Sequence, residues 1–500
     1  MVEDDAFFDK HEEIDFRRMN QKADSSIRLS SISLIYSAIS NMLMMIILAR
    51  LLTPREYGIM GMVLIVIGFG NLFSDIGVSG AVIHYQKVSK RQLSTLYWLT
   101  FIIGLIIFII LNLVSPLISI FYNEPELTFF ISITAIIFLI TPLSQQFETL
   151  YRKELKFKSL TYIEILTSTV LVITSIIFAY YGWGVISVIL GYLSKTLVKT
   201  FLIFFIGLKI WKPSFEFKFK EINNFLSFGV YQIGERSLNY FNSNIDKILI
   251  GKFLGAVTLG YYNIAYNLVS YPIIVINQIF TRVSFPYFSK LQNNIKWLKK
   301  AYLNLISLVS FINFPIYISL MLISPYFIPL LYGTQWYPSI ILVQILSVVF
   351  LFRCIANPIG SLLLAKGYAR LGFIWNAFVT MSFPFIILLG IIFGGSIEVA
   401  ISILLSQFIF FYLFYYFLLK KIFGPCLKQY IKSFGIFLLF SVSSLFVGLL
   451  GDLVYQFQSF FYQSLYLFLI VSISYLGLVF IFRRQFLVEF FERFFKKKAQ

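Results

Sequence analysis

Histidine and cysteine are nearly missing from this chain, with 2 of each in 500 residues. Cys354 and Cys426 stand singly in or beside apolar runs, which excludes a disulfide framework or a thiolate metal centre. His11 and His84 lie far apart, and no metal-ligand spacing or phosphate-binding loop occurs anywhere. Long polar stretches between the apolar runs are missing too, which leaves no room for a soluble catalytic domain. Acidic residues are scarce, 23 against 41 Lys and Arg. The resulting +18 would by itself suggest nucleic acid, but its placement gives a different reason.

What the chain has in abundance is apolar side chain: 59% of residues are hydrophobic, including 58 Phe and 31 Tyr, and mean hydropathy is +0.83. No water-soluble core of this length needs so much. Lys and Arg collect in residues 1–28, 87–91, 152–158, 209–220, 290–300, 366–370, 420–432 and the tail from Arg483. The alternate gaps carry only Arg50, Arg55 and Lys252. By the positive-inside rule the basic set is cytoplasmic, so both termini are inside and the number of spans is even. The cations then face an anionic leaflet, which makes anionic lipids the expected partner and removes the nucleic-acid reading. The start, with Glu3, Asp4 and Asp5, has no basic n-region and is not read as a signal peptide.

Spans of about 20 apolar residues are predicted at 27–49, 58–82, 93–115, 127–150, 160–181, 184–208, 222–251, 257–285, 299–324, 338–365, 371–393, 396–419, 431–451 and 461–482. Thr53-Pro54, Asn123-Glu124-Pro125, Gly394-Gly395 and Gly424-Pro425 punctuate the gaps. The seventh segment is interrupted by Gln232, Glu235, Arg236, Asn239, Asn242, Asn244, Asp246 and Lys247. It must still cross, because the basic loops on either side of segments seven and eight both lie inside. At 100° per residue, Gln232, Glu235, Arg236, Asn239, Asn242, Ser243 and Asp246 fall on about a third of the circumference. Such a stripe can cross only if it faces protein or a hydrated cavity.

The first span has a milder stripe of Ser26, Ser30, Ser33, Ser37, Ser40 and Asn41. A shift carrying Ser30 onto Gln232 also carries Ser33 onto Glu235, Arg50-Leu51-Leu52 onto Lys252-Phe253-Leu254 and Gly58 onto Gly260. The expected fold is therefore an all-α polytopic membrane protein of about 14 transmembrane helices. A tail (1–26) precedes an N-lobe of helices one to six (27–209). A duplicated C-lobe of helices seven to twelve (222–419), a further pair (431–482) and a basic tail (483–500) follow. An even-numbered repeat places its axis along the membrane normal.

The remaining chemistry lies in ionisable groups within the spans. Counting from span ends puts Lys195, Arg236 and Arg353 near the midplane, with Lys199 one turn from Lys195 and Arg282 nearer the cytoplasm. Each charge at helix centre costs on the order of 3 kcal/mol. One explanation is internal pairing, Arg236 with Glu235 or Asp246, and Lys199 snorkelling to the headgroups. The other is that Lys195, Lys199, Arg236, Arg282 and Arg353 bind an anion that must cross, in a cavity lined by Gln232, Glu235, Asn239, Asn242 and Ser243. Asp75, Glu148, Glu164 and Asp246 are the acids available for ion or proton coupling. No catalytic residue, cofactor or metal is expected.

Several stretches carry a family resemblance: Ala49–Gly58 (ARLLTPREYG), Phe73–Gly77 (FSDIG), Phe121–Leu127 (FYNEPEL), Arg152–Phe157 (RKELKF), and Asn244–Gly255 (NIDKILIGKFLG) with Leu259–Tyr262 (LGYY). Across most of 27–420 the chain resembles the polysaccharide transporter family of Wzx-type flippases, in the multidrug/oligosaccharidyl-lipid/polysaccharide superfamily. That resemblance implies two six-helix lobes around a central cavity and alternating access. It also implies a polyprenyl-diphosphate-linked oligosaccharide as cargo, moved to the outer leaflet of the bacterial cytoplasmic membrane, with polymerase and glycosyltransferases as the partners of surface-polysaccharide synthesis. The roles of the named cations follow from position, not from a family motif. Within the superfamily, a peptidoglycan-precursor flippase shares the cargo chemistry, and a drug exporter calls for a more acidic midplane. A membrane polymerase or ligase calls for a large outer loop with basic residues, which this sequence lacks.

Overall fold

A backbone in hydrocarbon must satisfy its own polar groups, so long apolar runs become helices. The computed structural model describes residues 29–75, 78–85, 88–215, 218 and 223–495, and those in regular structure are all helical. Chain contacts divide it into two compact units, Met1–Asn244 and Ile245–Gln500. The division falls inside a helix, beyond the basic loop at 209–220 that separates the lobes in the sequence reading.

The first unit holds α1 (Leu29–Leu51), α2 (Pro54–Ser74), α3 (Val78–His84), α4 (Lys90–Tyr122), α5 (Leu127–Thr134), α6 (Ile137–Ile140), α7 (Pro142–Lys153), α8 (Phe157–Tyr180) and α9 (Val185–Gly207). It also takes in the start of α10 (Asn223–Leu291). Local chemistry explains the ends. Thr53 and Glu56 cap each other's backbone at the start of α2, with Pro54 in the first turn where a missing N–H is harmless. Ser89 and Gln92 repeat the device on α4. Asn123 closes α4 in the left-handed region, φ 57°, within the turn that Asn123-Glu124-Pro125 announced. The serine stripe of α1 meets α8: Ser37 and Ser168 hydroxyls lie 3.0 Å apart and those of Tyr36 and Thr169 2.7 Å apart. Ser26 lies outside the described residues.

Two expected spans are broken. The one at 127–150 becomes α5, α6 and α7 with a 48° bend before α7. Pro142 has no N–H to donate, and the Thr141 hydroxyl bonds back to Ile137 O at 2.8 Å, so the ladder yields there. The one at 338–365 becomes α12 (Ser339–Ala356) and α13 (Ile359–Ala365), parted at Asn357-Pro358. The rest of the second unit is α11 (Ile295–Leu331), α14 (Ala369–Phe393), α15 (Ser396–Phe414), α16 (Lys420–Phe423), α17 (Leu427–Val454) and α18 (Phe460–Phe495). The last pair packs on α11 through Ile318, Leu322, Leu467 and Val471. Buried Tyr475 donates to Phe311 O at 3.0 Å. At Arg483 α18 leaves helical geometry, and Phe486 turns back onto Phe311 and Phe437.

α10 reads as 69 continuous residues, but Gly255 inside it has φ 81° and ψ 175°. A straight helix would hold Asp246 and Tyr262 about 24 Å apart at 1.5 Å per residue. Instead the Tyr262 hydroxyl donates to Asp246 Oδ2 at 2.8 Å, and Lys247 Nζ sits 4.6 Å from the Tyr266 ring centre. The chain therefore reverses at Gly255, and α10 is a hairpin of two arms. Among the described residues, 12 helices are long and apolar enough to cross a membrane, or 13 with the bent pair, and α10 contributes one. The fourteen expected included the first arm of this hairpin, where the side chains of 223–235 lie outside the described set.

Candidate functional site

On α9, Lys195 and Lys199 are four residues apart and so share a face. That face meets Glu164 of α8 and Glu148 of α7. Lys195 Nζ donates to Glu164 Oε1 at 2.9 Å. Lys199 Nζ lies 3.1 Å from Glu148 Oε2 and 3.5 Å from Glu164 Oε2. Glu148 is held from its own helix as well, by Arg152 at 2.6 Å. The four central side chains are 17–30% exposed. Two lysines assigned by sequence to an anion and two glutamates assigned to coupling thus form one ion-paired quartet. Lys199 is turned to these acids and does not snorkel.

Three of the four, Lys195, Lys199 and Glu148, line a cavity of about 330 Å3 within the first unit, together with Asn71, Gln145, Tyr192 and Thr196. Asn71 and Gln145 did not stand out in the sequence, although an amide interrupting the apolar run of α2 was a usable signal. Asp75 is occupied differently: it accepts from the Ser79 amide at 3.0 Å, the Ser79 hydroxyl at 2.6 Å and Gln145 Nε2 at 2.8 Å. It caps α3 and ties it to α7.

The stripe of α10 is partly in view. Asn239, Ser243 and Arg236 are exposed and Asn242 is half-buried. The side chains of Gln232, Glu235 and Arg282 lie outside the described set. Between them, Tyr240 donates to Ile65 O at 2.7 Å, an approach that bare Gly68 permits because a Cβ there would collide with the phenol. In the second unit Asp246 is buried, 3% exposed, held by Tyr262 and the Lys247 amide. Arg353 lies over Phe350 and Phe383, 5.1 and 5.6 Å from the ring centres. Neither Arg236 nor Arg353 has a carboxylate within ion-pair distance among the described residues. Pairing of Arg236 with Asp246, one of the two explanations for its charge, is thus not seen.

Over residues 47–341 the sequence matches the family described as polysaccharide biosynthesis protein. The chain belongs to that family. Among relatives of this polysaccharide biosynthesis protein, the lipopolysaccharide biosynthesis protein WzxC of Escherichia coli K12 is 34% identical, covering 86% of this chain and 87% of that one. The teichuronic acid biosynthesis protein TuaB of Bacillus subtilis 168 is 36% identical over 66% of this chain and 69% of its own. The lipid II flippase MurJ, in an inward closed conformation, shares the fold with a TM-score of 0.73 at 20% identity, covering 91% of this chain and 99% of that one. A multidrug transporter of the MATE family follows at 0.60 and 16%, covering 78% and 97%. The family member is thus an all-α polytopic membrane protein with the fold of these two structures.

The quartet makes a stability prediction. Glu164→Gln leaves Lys195 with only the Ser168 hydroxyl at 3.4 Å. A half-buried cation losing its partner is expected to destabilise by about 1–3 kcal/mol, below the range for full burial. Glu164→Gln with Lys195→Gln should recover most of that loss in a thermal unfolding assay, whereas additive losses would show that the pair is not coupled.

Proposed function

We propose that the protein is a flippase that carries a polyprenyl-diphosphate-linked oligosaccharide from the cytoplasmic to the outer leaflet by alternating access, for synthesis of a surface polysaccharide. Membership of the polysaccharide biosynthesis family carries this reading, supported by a fold shared with a lipid II flippase. The protein acts as a transporter, not as a polymerase or ligase, and hands its cargo to such enzymes. Arg236 and Arg353 each engage the diphosphate during its passage, because among the described residues no carboxylate pairs with either charge and a guanidinium forks onto phosphate oxygens. Asn239, Asn242 and Ser243 present a wettable face to the cargo.

The purified protein in liposomes should move a polyprenyl-diphosphate oligosaccharide between leaflets, read by its exposure to an impermeant enzyme. Movement no faster than in empty liposomes would sink the proposal. The protein resides in the bacterial cytoplasmic membrane with both termini inside, as the Lys and Arg distribution requires. Single cysteines replacing Asn123, Thr334 or Gln456 should then react with an impermeant thiol reagent from outside, and ones replacing Lys156 or Lys428 should not. The reverse pattern would invert the topology.

A further inference from the structure

The cavity beside the quartet is polar, and its charges are already ion-paired. Its two lysines already face two glutamates, at 2.9 Å for Lys195–Glu164 and 3.1 Å for Lys199–Glu148. An anion entering it would have to compete for Lys195 and Lys199 with the carboxylates that already hold them, so the pocket is poorly suited to a diphosphate. Its other groups are amides and hydroxyls with spare capacity. Gln145 Oε1 is buried with no hydrogen-bond partner, its Nε2 being taken by Asp75. The Asn71 carboxamide has no side-chain bond to a described residue, and Asn71 is exposed toward the same space. A paired carboxylate retains lone pairs for further donors, and Tyr192 offers an aromatic ring. Donors and acceptors of both kinds, with the charged groups already paired, match a neutral polyhydroxy ring. The volume, about 330 Å3, lies at the small end of the range for ligand pockets, about 300–1,000 Å3.

We infer that this cavity of the first unit is a sugar subsite: it takes an uncharged glycosyl residue of the cargo, separately from the cations that meet the diphosphate. The inference rests on the flippase reading and deepens it. Asn71 and Gln145 are the specificity residues, hydrogen-bonding sugar hydroxyls, and Lys195, Lys199 and Glu148 supply an ion-paired polar wall.

Two probes separate the inference from the reading beneath it: polyprenyl diphosphate alone, and the same carrier bearing one hexose, each titrated onto the intact purified protein. The wild type should bind the glycosylated probe at least tenfold more tightly than the bare carrier. In Asn71→Leu, and separately in Gln145→Leu, that advantage should fall to under threefold while affinity for the bare carrier stays within twofold, which also reports a folded protein. Glu148→Gln, which frees positive charge in the cavity, should likewise leave bare-carrier affinity within twofold. No sugar advantage in the wild type, or one that survives both leucine variants, would overturn the subsite. A tenfold gain for the bare carrier in Glu148→Gln would reassign the cavity to the diphosphate. Absence of binding by the bare carrier itself would instead count against the flippase reading.

Discussion

Replacing Arg353 by Gln should lower export of surface polysaccharide at least tenfold while the protein stays in the membrane at its normal level. The guanidinium lies against Phe350 and Phe383, contacts that hold it in place without cancelling its charge. A charge-assisted hydrogen bond to phosphate is worth roughly 1.5–3 kcal/mol, which at about 1.4 kcal/mol per factor of ten corresponds to one to two orders of magnitude in flipping. Arg236→Gln should act in the same direction. Lys at position 353 should restore export only in part, since an ammonium cannot fork onto two oxygens. Export at the wild-type rate in both Gln variants would show that the anion is held elsewhere. The protein level, measured by immunoblot of membranes in the same cells, separates lost transport from lost folding.

The second large effect concerns the hairpin of α10. Gly255, at φ 81° and ψ 175°, occupies a region essentially closed to residues with a Cβ, at a cost of about 1–3 kcal/mol. A Cβ there would meet nothing within 4 Å, so the penalty is conformational and repacking cannot relieve it. Gly255→Val should therefore destabilise strongly and Gly255→Ala by less. Gly435→Ala in α17, where the new methyl meets only Ile431 at 3.7 Å, should stay within about 0.5 kcal/mol of wild type. Thermal unfolding of the three variants decides it, and equal stability for Gly255→Val and wild type would refute the strained reversal. A loosened reversal would also separate Asp246 from Tyr262, since their hydrogen bond joins the two arms.

Hydropathy and turn chemistry made most of the architecture readable, because in hydrocarbon the backbone has few alternatives. α8 and α9 lie within a few residues of the spans predicted at 160–181 and 184–208. Breaks were less readable: Pro142 and Pro358 each stand inside a stretch long enough to be read as one span, and a proline alone does not say how far a helix will bend. The site divides in the same way. Arg152 and Glu148 are one helical turn apart, so their contact was visible in the spacing. Lys195 and Glu164 lie 31 residues apart on consecutive helices, and only tertiary packing reveals that they meet. Asp75 was readable as an acid in a membrane span, but its bond to the Ser79 amide depends on where α2 ends.

The docking of α18 bears on how the chain is made. Tyr475 bonds to a carbonyl that precedes it by 164 residues, and Leu467 and Val471 fill a core with Ile318 and Leu322. At about 5–20 residues per second, the ribosome delivers this partner roughly ten to thirty seconds after α11 emerges. Throughout that interval the matching face of α11 has only lipid or an insertion factor to cover it. The second unit therefore completes its core only once α18 has been made, and a ribosome that stops before Leu467 releases a protein with that face still open.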